Sequence, residues 1–314
     1  MERSIHSLAQ LELLRRMAEQ PDLPARDALF LATQLVNHGF TEAGPLVAGL
    51  RAQIPDKPVQ HFLARLARRD AAIQALPQLP ALRADPAAVE QFYATDGYVF
   101  RPGTVRGDLA IVIFTTRCNN FSVSNLVLDA LLGELGLARL YLKDGSADLY
   151  LAGVHGLAAT LRELPEAIER LLAAHGVRPS VVTGFSSGGY ASLYAAMRLR
   201  PHGYIGFSVC TDLSVASGLP QRKMFSALHG RAPADLLLDL RPEIARTGGR
   251  LTLCYGMRDP IDRAHAEHLA PCPGVTLRAH AEANHALPVW LLEEGRLLAP
   301  FQDMLDMPPG VMRA

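Results

Sequence analysis

The 314-residue chain has little lysine, a single tryptophan, four cysteines and no excess of charge of either sign. Lys+Arg and Asp+Glu each number 31, so the formal net charge is +0. A nucleic-acid binder needs a basic face to release counterions from phosphates, and this balance supplies none. Lysine occurs only at Lys57, Lys143 and Lys223, with arginine carrying the rest of the positive charge, which reads as the codon bias of a GC-rich genome rather than a functional signal. Cys118, Cys210, Cys254 and Cys272 form no CxxC pair and no dense framework, which argues against a disulfide scaffold. Cys210 and Cys254 fall in strand-like runs and read as buried free thiols. No apolar run reaches the roughly 18–20 residues that span a bilayer. The stretch Met1 to Gln20 has a helical period, with Ile5, Leu8, Leu11, Leu14 and Met17 on one face, but lacks the continuous apolar core and cleavage site of a secretion signal. A cytoplasmic protein without a membrane span is expected.

What is present is ordinary globular composition, 49% hydrophobic and 20% charged, in enough chain for one large domain or two small ones. Helical periods recur over Ile5–Glu19, Ala25–His38, Thr41–Gln53 and Val59–Ala75, punctuated by Pro21, Pro24, Gly39, Pro55, Pro58 and Pro77. They predict a helical N-terminal domain over residues 1–80, either a cap on the following domain or a module that docks a protein partner. Pro77 to Pro86 reads as a linker. Beyond it, short apolar runs (Asp108–Thr115, Ala138–Leu142, Ser180–Gly184, Gly203–Cys210, Arg250–Tyr255, Val275–Ala279) alternate with amphipathic helices over Val123–Leu135, Leu157–His175, Gly189–Leu199, Asp262–Leu269 and Leu287–Leu305. Runs apolar on both faces suit buried parallel strands, and the alternation predicts a doubly wound α/β domain over residues 81–314. Residues 214–249 exceed the length of one crossover and predict a helical, lid-like insertion.

The strongest chemical signal is Gly184-Phe185-Ser186-Ser187-Gly188, a GxSxG between the strand-like Val181-Val182 and the helix opening near Tyr190. In that context glycines flank a strained turn that exposes the serine at the carboxyl end of a sheet, where the following backbone N–H can meet an oxyanion. Ser186 is the candidate nucleophile, with Ser187, one residue out of the glycine frame, as the alternative. A serine needs a base oriented by an acid. Gly256-Met257-Arg258-Asp259-Pro260 ends a strand with an aspartate fixed by a proline, so Asp259 is the candidate acid. Asp262 reads instead as a helix N-cap, and Asp212 is a third option. Of eleven histidines, His285 in the loop before the terminal helix is the candidate base, with His280 at the preceding strand end as the alternative. His6, His38 and His61 read as surface or helix-end residues. His265 and His268 have helical spacing but no thiolate or carboxylate pair to complete a metal site, so no metal is expected. The chain also lacks GxGxxG after a strand, GxxxxGK[ST] and HExxH, and no cofactor is expected.

The order GFSSG, GMRDP, ANH on alternating strands and helices resembles the α/β-hydrolase superfamily over residues 90–314. The resemblance implies Ser186 as nucleophile, Asp259 as acid and His285 as general base. It also implies an oxyanion hole built from the Ser187 N–H and a backbone N–H after the third strand, which matches Arg117 or Cys118 by position, although the His-Gly often found there is absent. Asn119 and Asn120 could add side-chain amides, and Arg117 could bind an anionic part of a substrate. The expected function is hydrolysis of a carboxylic ester, thioester or amide in a small or acylated substrate. An acyltransferase using the same residues, or a scaffold that has lost activity, is the alternative.

Overall fold

The computed structural model describes residues 8–18, 23–94, 96–146 and 148–306. Helices α1 (Leu8–Ala18), α2 (Ala25–Asn37), α3 (Ala43–Gln53) and α4 (Lys57–Gln74) follow the helical periods of the sequence. Asp56 caps α4 by accepting the Val59 N–H at 3.1 Å, just ahead of a proline in the first turn. The stretch Pro77 to Pro86, expected as a linker, is instead α5 (Leu79–Ala84) running into α6 (Pro86–Tyr93), and the boundary expected at residue 80 falls inside α5. Pro80 and Pro86 sit in first turns, where a missing N–H breaks no helical hydrogen bond, and Leu79 and Leu82 are buried.

Then follow β1 (Tyr98–Arg101), β2 (Arg106–Phe114), α7 (Asn125–Leu132), β3 (Leu137–Leu142), α8 (Leu164–Ala174), β4 (Arg178–Phe185), α9 (Gly189–Leu199) and β5 (Gly203–Phe207). After these come α10 (Lys223–Ser226), α11 (Arg241–Thr247), β6 (Leu251–Gly256), α12 (Pro260–Leu269), β7 (Val275–His280), α13 (Leu287–Glu293) and α14 (Ala299–Asp306). The seven strands form one sheet in the order β1-β3-β2-β4-β5-β6-β7. Only β1 is antiparallel, pairing Tyr98 with Leu142; the others run parallel, as in the registers Ile113 beside Thr183 and Val182 beside Tyr204.

The alternation of side chains along each buried strand feeds two cores. Ile111, Ile113, Tyr141, Val181, Ile205 and Phe207 face one side, where they join residues of α2, α3, α4, α7, α13 and α14. Val112, Phe114, Leu140, Leu142, Val182 and Tyr204 face the other, with α8, α9, α11, α12 and the 214–249 interval. The N-terminal helices are thus one layer of the sheet's covering. Leu31, Leu35, Leu63 and Leu66 are wholly buried there, each contributing about 2 kcal/mol of transfer free energy. An ionic clamp reinforces the contact: Glu293 of α13 accepts from Arg65 at 2.8 Å and Arg69 at 2.6 Å. On the opposite side, Tyr190 of α9 donates to the Leu236 carbonyl (2.8 Å) and accepts the Leu238 N–H (2.9 Å), anchoring the inserted interval. No helix among the described residues is long and apolar enough to cross a membrane.

Candidate active site

Strand β4 ends at Phe185, and Ser186 follows with φ 52°, the left-handed strain of a tight strand-to-helix turn. Both flanking glycines are required sterically. A Cβ on Gly184 would lie 2.6 Å from the Ser192 Cβ and 2.8 Å from the Gly188 carbonyl, and one on Gly188 would lie 2.5 Å from the Thr115 carbonyl. The second contact also explains why the loop after β2 sits beside Ser186: its strand end lies flush against the turn. At the β6 end, a Cβ on Gly256 would strike the backbone of Ala283 at 2.5 Å, so this glycine lets the loop bearing His285 lie over the strand terminus.

These elements bring Ser186 and His285 together: Oγ and Nε2 are 2.7 Å apart. The other ring nitrogen, Nδ1, lies 2.9 Å from Oδ2 of Asp262 and 3.0 Å from Oδ1. Asp259, expected to hold the imidazole, does not reach it. Its Oδ1 accepts the N–H groups of Ile261 (3.1 Å) and Asp262 (3.0 Å), making it the N-cap of α12. The positions read from the sequence are exchanged: Asp259 caps the helix, and Asp262, one turn in, faces the histidine. Burial pushes the Asp262 carboxyl upward, but His285 and Arg222 together outweigh it and hold it below the usual carboxylate range. Asp212, the third option, accepts the Ser214 N–H at 2.8 Å instead. His280 stacks obliquely on Trp290, away from the serine.

Arg222, from the lid-like interval, was not anticipated. Its Nη2 lies 2.9 Å from Oδ2 of Asp259, 2.7 Å from Oδ1 of Asp262 and 2.7 Å from Nδ1 of His285. Burial disfavours the Arg222 charge, yet both carboxylates more than compensate and raise its pKa. Since a guanidinium only donates, Nδ1 can accept from Arg222 or donate to Asp262, but not both.

The loop candidates separate. The Arg117 N–H donates to the Ser187 hydroxyl (2.9 Å), tying the loop to the turn, and the Cys118 N–H donates to Thr116 Oγ1 (3.2 Å). The Ser187 N–H belongs to the first turn of a helical run, where backbone donors lack intrahelical acceptors. Asn119, expected to touch substrate, is outside the cleft: its amide donates to the carbonyls of Phe92 (3.1 Å) and Ala94 (2.8 Å), and its Oδ1 accepts from Asn125. Asn120 does line the cleft, its Oδ1 accepting from Thr116 Oγ1 at 2.8 Å.

The cleft over Ser186 measures about 970 Å³ and is walled on one side by α2 and α4, through Leu29, Phe30, Thr33, Phe62 and Arg69. His38, read as a helix-end residue, does end α2 but is buried against Tyr93, and burial lowers its pKa to about 4. Among the described residues, two groups of three side chains lie within metal-ligand spacing: Asp212, Asp239 and His268, and Asp259, Asp262 and His285. In the second group the cationic Arg222 nitrogen already contacts all three side chains.

No protein family and no curated protein matches the chain. Solved structures do. The 2,6-dihydroxy-pseudo-oxynicotine hydrolase is similar over 96% of this chain and 90% of its own, with a TM-score of 0.51 at 14% identity. Est2, a thermophilic esterase from Thermogutta terrifontis, matches 67% of this chain and 87% of its own (TM-score 0.47, 13% identity). Mouse alpha/beta hydrolase domain-containing protein 10 matches 67% and 93% (TM-score 0.46, 15% identity). Together with the strand order and the turn after β4, the first of these defines the class: the chain has the α/β-hydrolase fold, and the match includes the helical N-terminal layer.

Proposed function

We propose that the protein is a serine hydrolase that cleaves a carboxylic ester or closely related acyl bond through Ser186, His285 and Asp262. The observation carrying this reading is the continuous chain from Ser186 Oγ to His285 Nε2 (2.7 Å) and from Nδ1 to Asp262 (2.9 Å) at the strained turn. With Nδ1–H donated to Asp262, Nε2 is the free acceptor for the serine proton. Oγ then attacks the acyl carbonyl, and the imidazolium is stabilised by a carboxylate that Arg222 and His285 keep ionised. The oxyanion is met by the Ser187 N–H and by the Arg117 N–H, whose present acceptor is a neutral hydroxyl that a full negative charge out-competes. His285 returns the proton to the leaving group, and water, activated by the same imidazole, releases the acyl enzyme. Arg222 ties the lid interval to both carboxylates and neutralises one of them.

The test is intact-mass labelling with a fluorophosphonate on wild type, Ser186→Ala and His285→Ala. One adduct on wild type and none on either variant supports an activated serine. A folded wild type that takes no adduct points to a non-catalytic scaffold.

A further inference from the structure

The cleft wall has an uneven charge. Among the described residues that line it, three are arginines (Arg69, Arg117 and Arg222), and none is an aspartate or glutamate. Two of the three are neutralised in place. Arg69 is held by Glu293 at 2.6 Å and by Asn37 at 2.7 Å, and Arg222 by Asp259 and Asp262. Arg117 differs: among the described residues its guanidinium makes no hydrogen bond and no ion pair, while its backbone N–H is fixed to Ser187 Oγ at 2.9 Å. The backbone anchor pins this residue beside the nucleophile, and the long side chain is free to meet a group several atoms from the reacting carbonyl.

From this arrangement we infer that the substrate is a small ester bearing a carboxylate, with Arg117 as its countercharge. The inference rests on the hydrolase reading above. Guanidinium and carboxylate pair in a bidentate fork, a geometry that a hydrated lysine ammonium does not reproduce. The N-terminal helices and lid contribute Leu29, Phe30, Phe62 and Met224 to the wall, interspersed with the uncharged polar Thr33, Gln34 and Asn37, so the body of the substrate is an uncharged hydrocarbon or aromatic group with room for hydrogen-bonding substituents. A strongly anionic polymer fits less well, because two of the three cations are already satisfied. Arg117 therefore acts as a specificity residue, separate from the proton relay.

The experiment compares two pairs of esters, each with an anionic member and a neutral isostere. One pair places the charge on the acyl side: mono-(4-nitrophenyl) adipate and the corresponding adipamate. The other places it on the leaving group: 4-acetoxybenzoate and 4-acetoxybenzamide. Wild type is expected to favour the anionic member of at least one pair in kcat/KM by about 30-fold, equivalent to ~2 kcal/mol. Arg117→Met should collapse that ratio towards one, and Arg117→Lys should restore part of it. No preference in either pair, or a preference that Arg117→Met leaves intact, overturns the inference. Should Ser186 take a fluorophosphonate but turn over none of the esters, protection from labelling decides: adipate must slow it more than adipamide in wild type and not in Arg117→Met. Absence of any label removes the hydrolase reading itself, and this inference with it.

Discussion

Replacing Asp262 and Asp259 in turn by asparagine separates two carboxylates that lie within one helical turn of each other. Asparagine is nearly isosteric with aspartate and is an equally good N-cap, so Asp259→Asn keeps the two hydrogen bonds that start α12 and loses only a charge shared with Arg222. That change should cost no more than about tenfold in kcat, and its stability effect should stay near 1 kcal/mol because the Asp259–Arg222 pair is partly exposed. Asp262→Asn differs in kind. Its side chain is only 3% exposed, and both its oxygens face Nδ1 of His285. An amide there can present N–H to Nδ1, which drives the proton to Nε2 and leaves the serine facing a donor instead of a base. Loss of the correct tautomer costs on the order of 10⁴ in kcat, or about 5 kcal/mol of transition-state stabilisation. The assay is burst and steady-state hydrolysis of 4-nitrophenyl acetate, with circular dichroism to confirm that each variant is folded. A folded Asp262→Asn within tenfold of wild type would falsify the assignment of the relay, as would an Asp259→Asn that fell just as far.

Two further predictions concern the N-terminal layer. His38, whose pKa falls to about 4 on burial, should make stability depend on pH. Its lowered folded value means that the unfolded chain binds the extra proton between about pH 6.5 and 4, so stability is retained above that window and lost as pH falls through it. Between pH 7.5 and 4.5 wild type should lose roughly 2–3 kcal/mol through this group, and in urea titrations His38→Gln should show a correspondingly flatter pH dependence; parallel curves would refute the assignment. Glu293→Ala should strip Arg69 of its carboxylate in a buried setting and cost about 3–5 kcal/mol in urea unfolding. A change below ~1 kcal/mol would mean that the clamp contributes little.

The parts of the fold legible in the sequence are those that local pattern determines. Runs such as Ile111-Val112-Ile113-Phe114 announce strands because both faces are buried, and GxSxG announces its turn because two backbone segments leave no room for a Cβ. Strand β1 escapes notice because it is a four-residue edge strand whose apolar run, Tyr98-Val99-Phe100, is only three residues long and includes an exposed Tyr98. Helices α5 and α6 were obscured by Pro77, Pro80 and Pro86, since proline both breaks helices and starts them. The place of Asp259 at the start of α12 follows on that same ground. An aspartate directly before a proline at the first helical position is an N-cap, and one oxygen of the cap's carboxylate is occupied by its own helix. Leu287 to Leu305, read as one helix, divides into α13 and α14 around Gly295, which takes φ 65°. Arg222 and the cleft wall carried no local signal, because a lid arginine meeting two carboxylates, or a leucine of α2 facing a serine far along the chain, arises only from tertiary contact.

The division of labour around the cleft bears on how a chain of this fold could diverge. Ser186, Asp262 and His285 are fixed by strand ends and glycines that tolerate little change, whereas one wall is presented by the surface of two early helices. Substitutions at Phe30, Thr33 or Phe62 need not disturb the sheet, so the shape of the cleft can drift through the first quarter of the sequence while the cluster of Ser186, His285 and Asp262 stays constant. The latch of Arg65 and Arg69 on Glu293 keeps that wall registered as its face is remodelled.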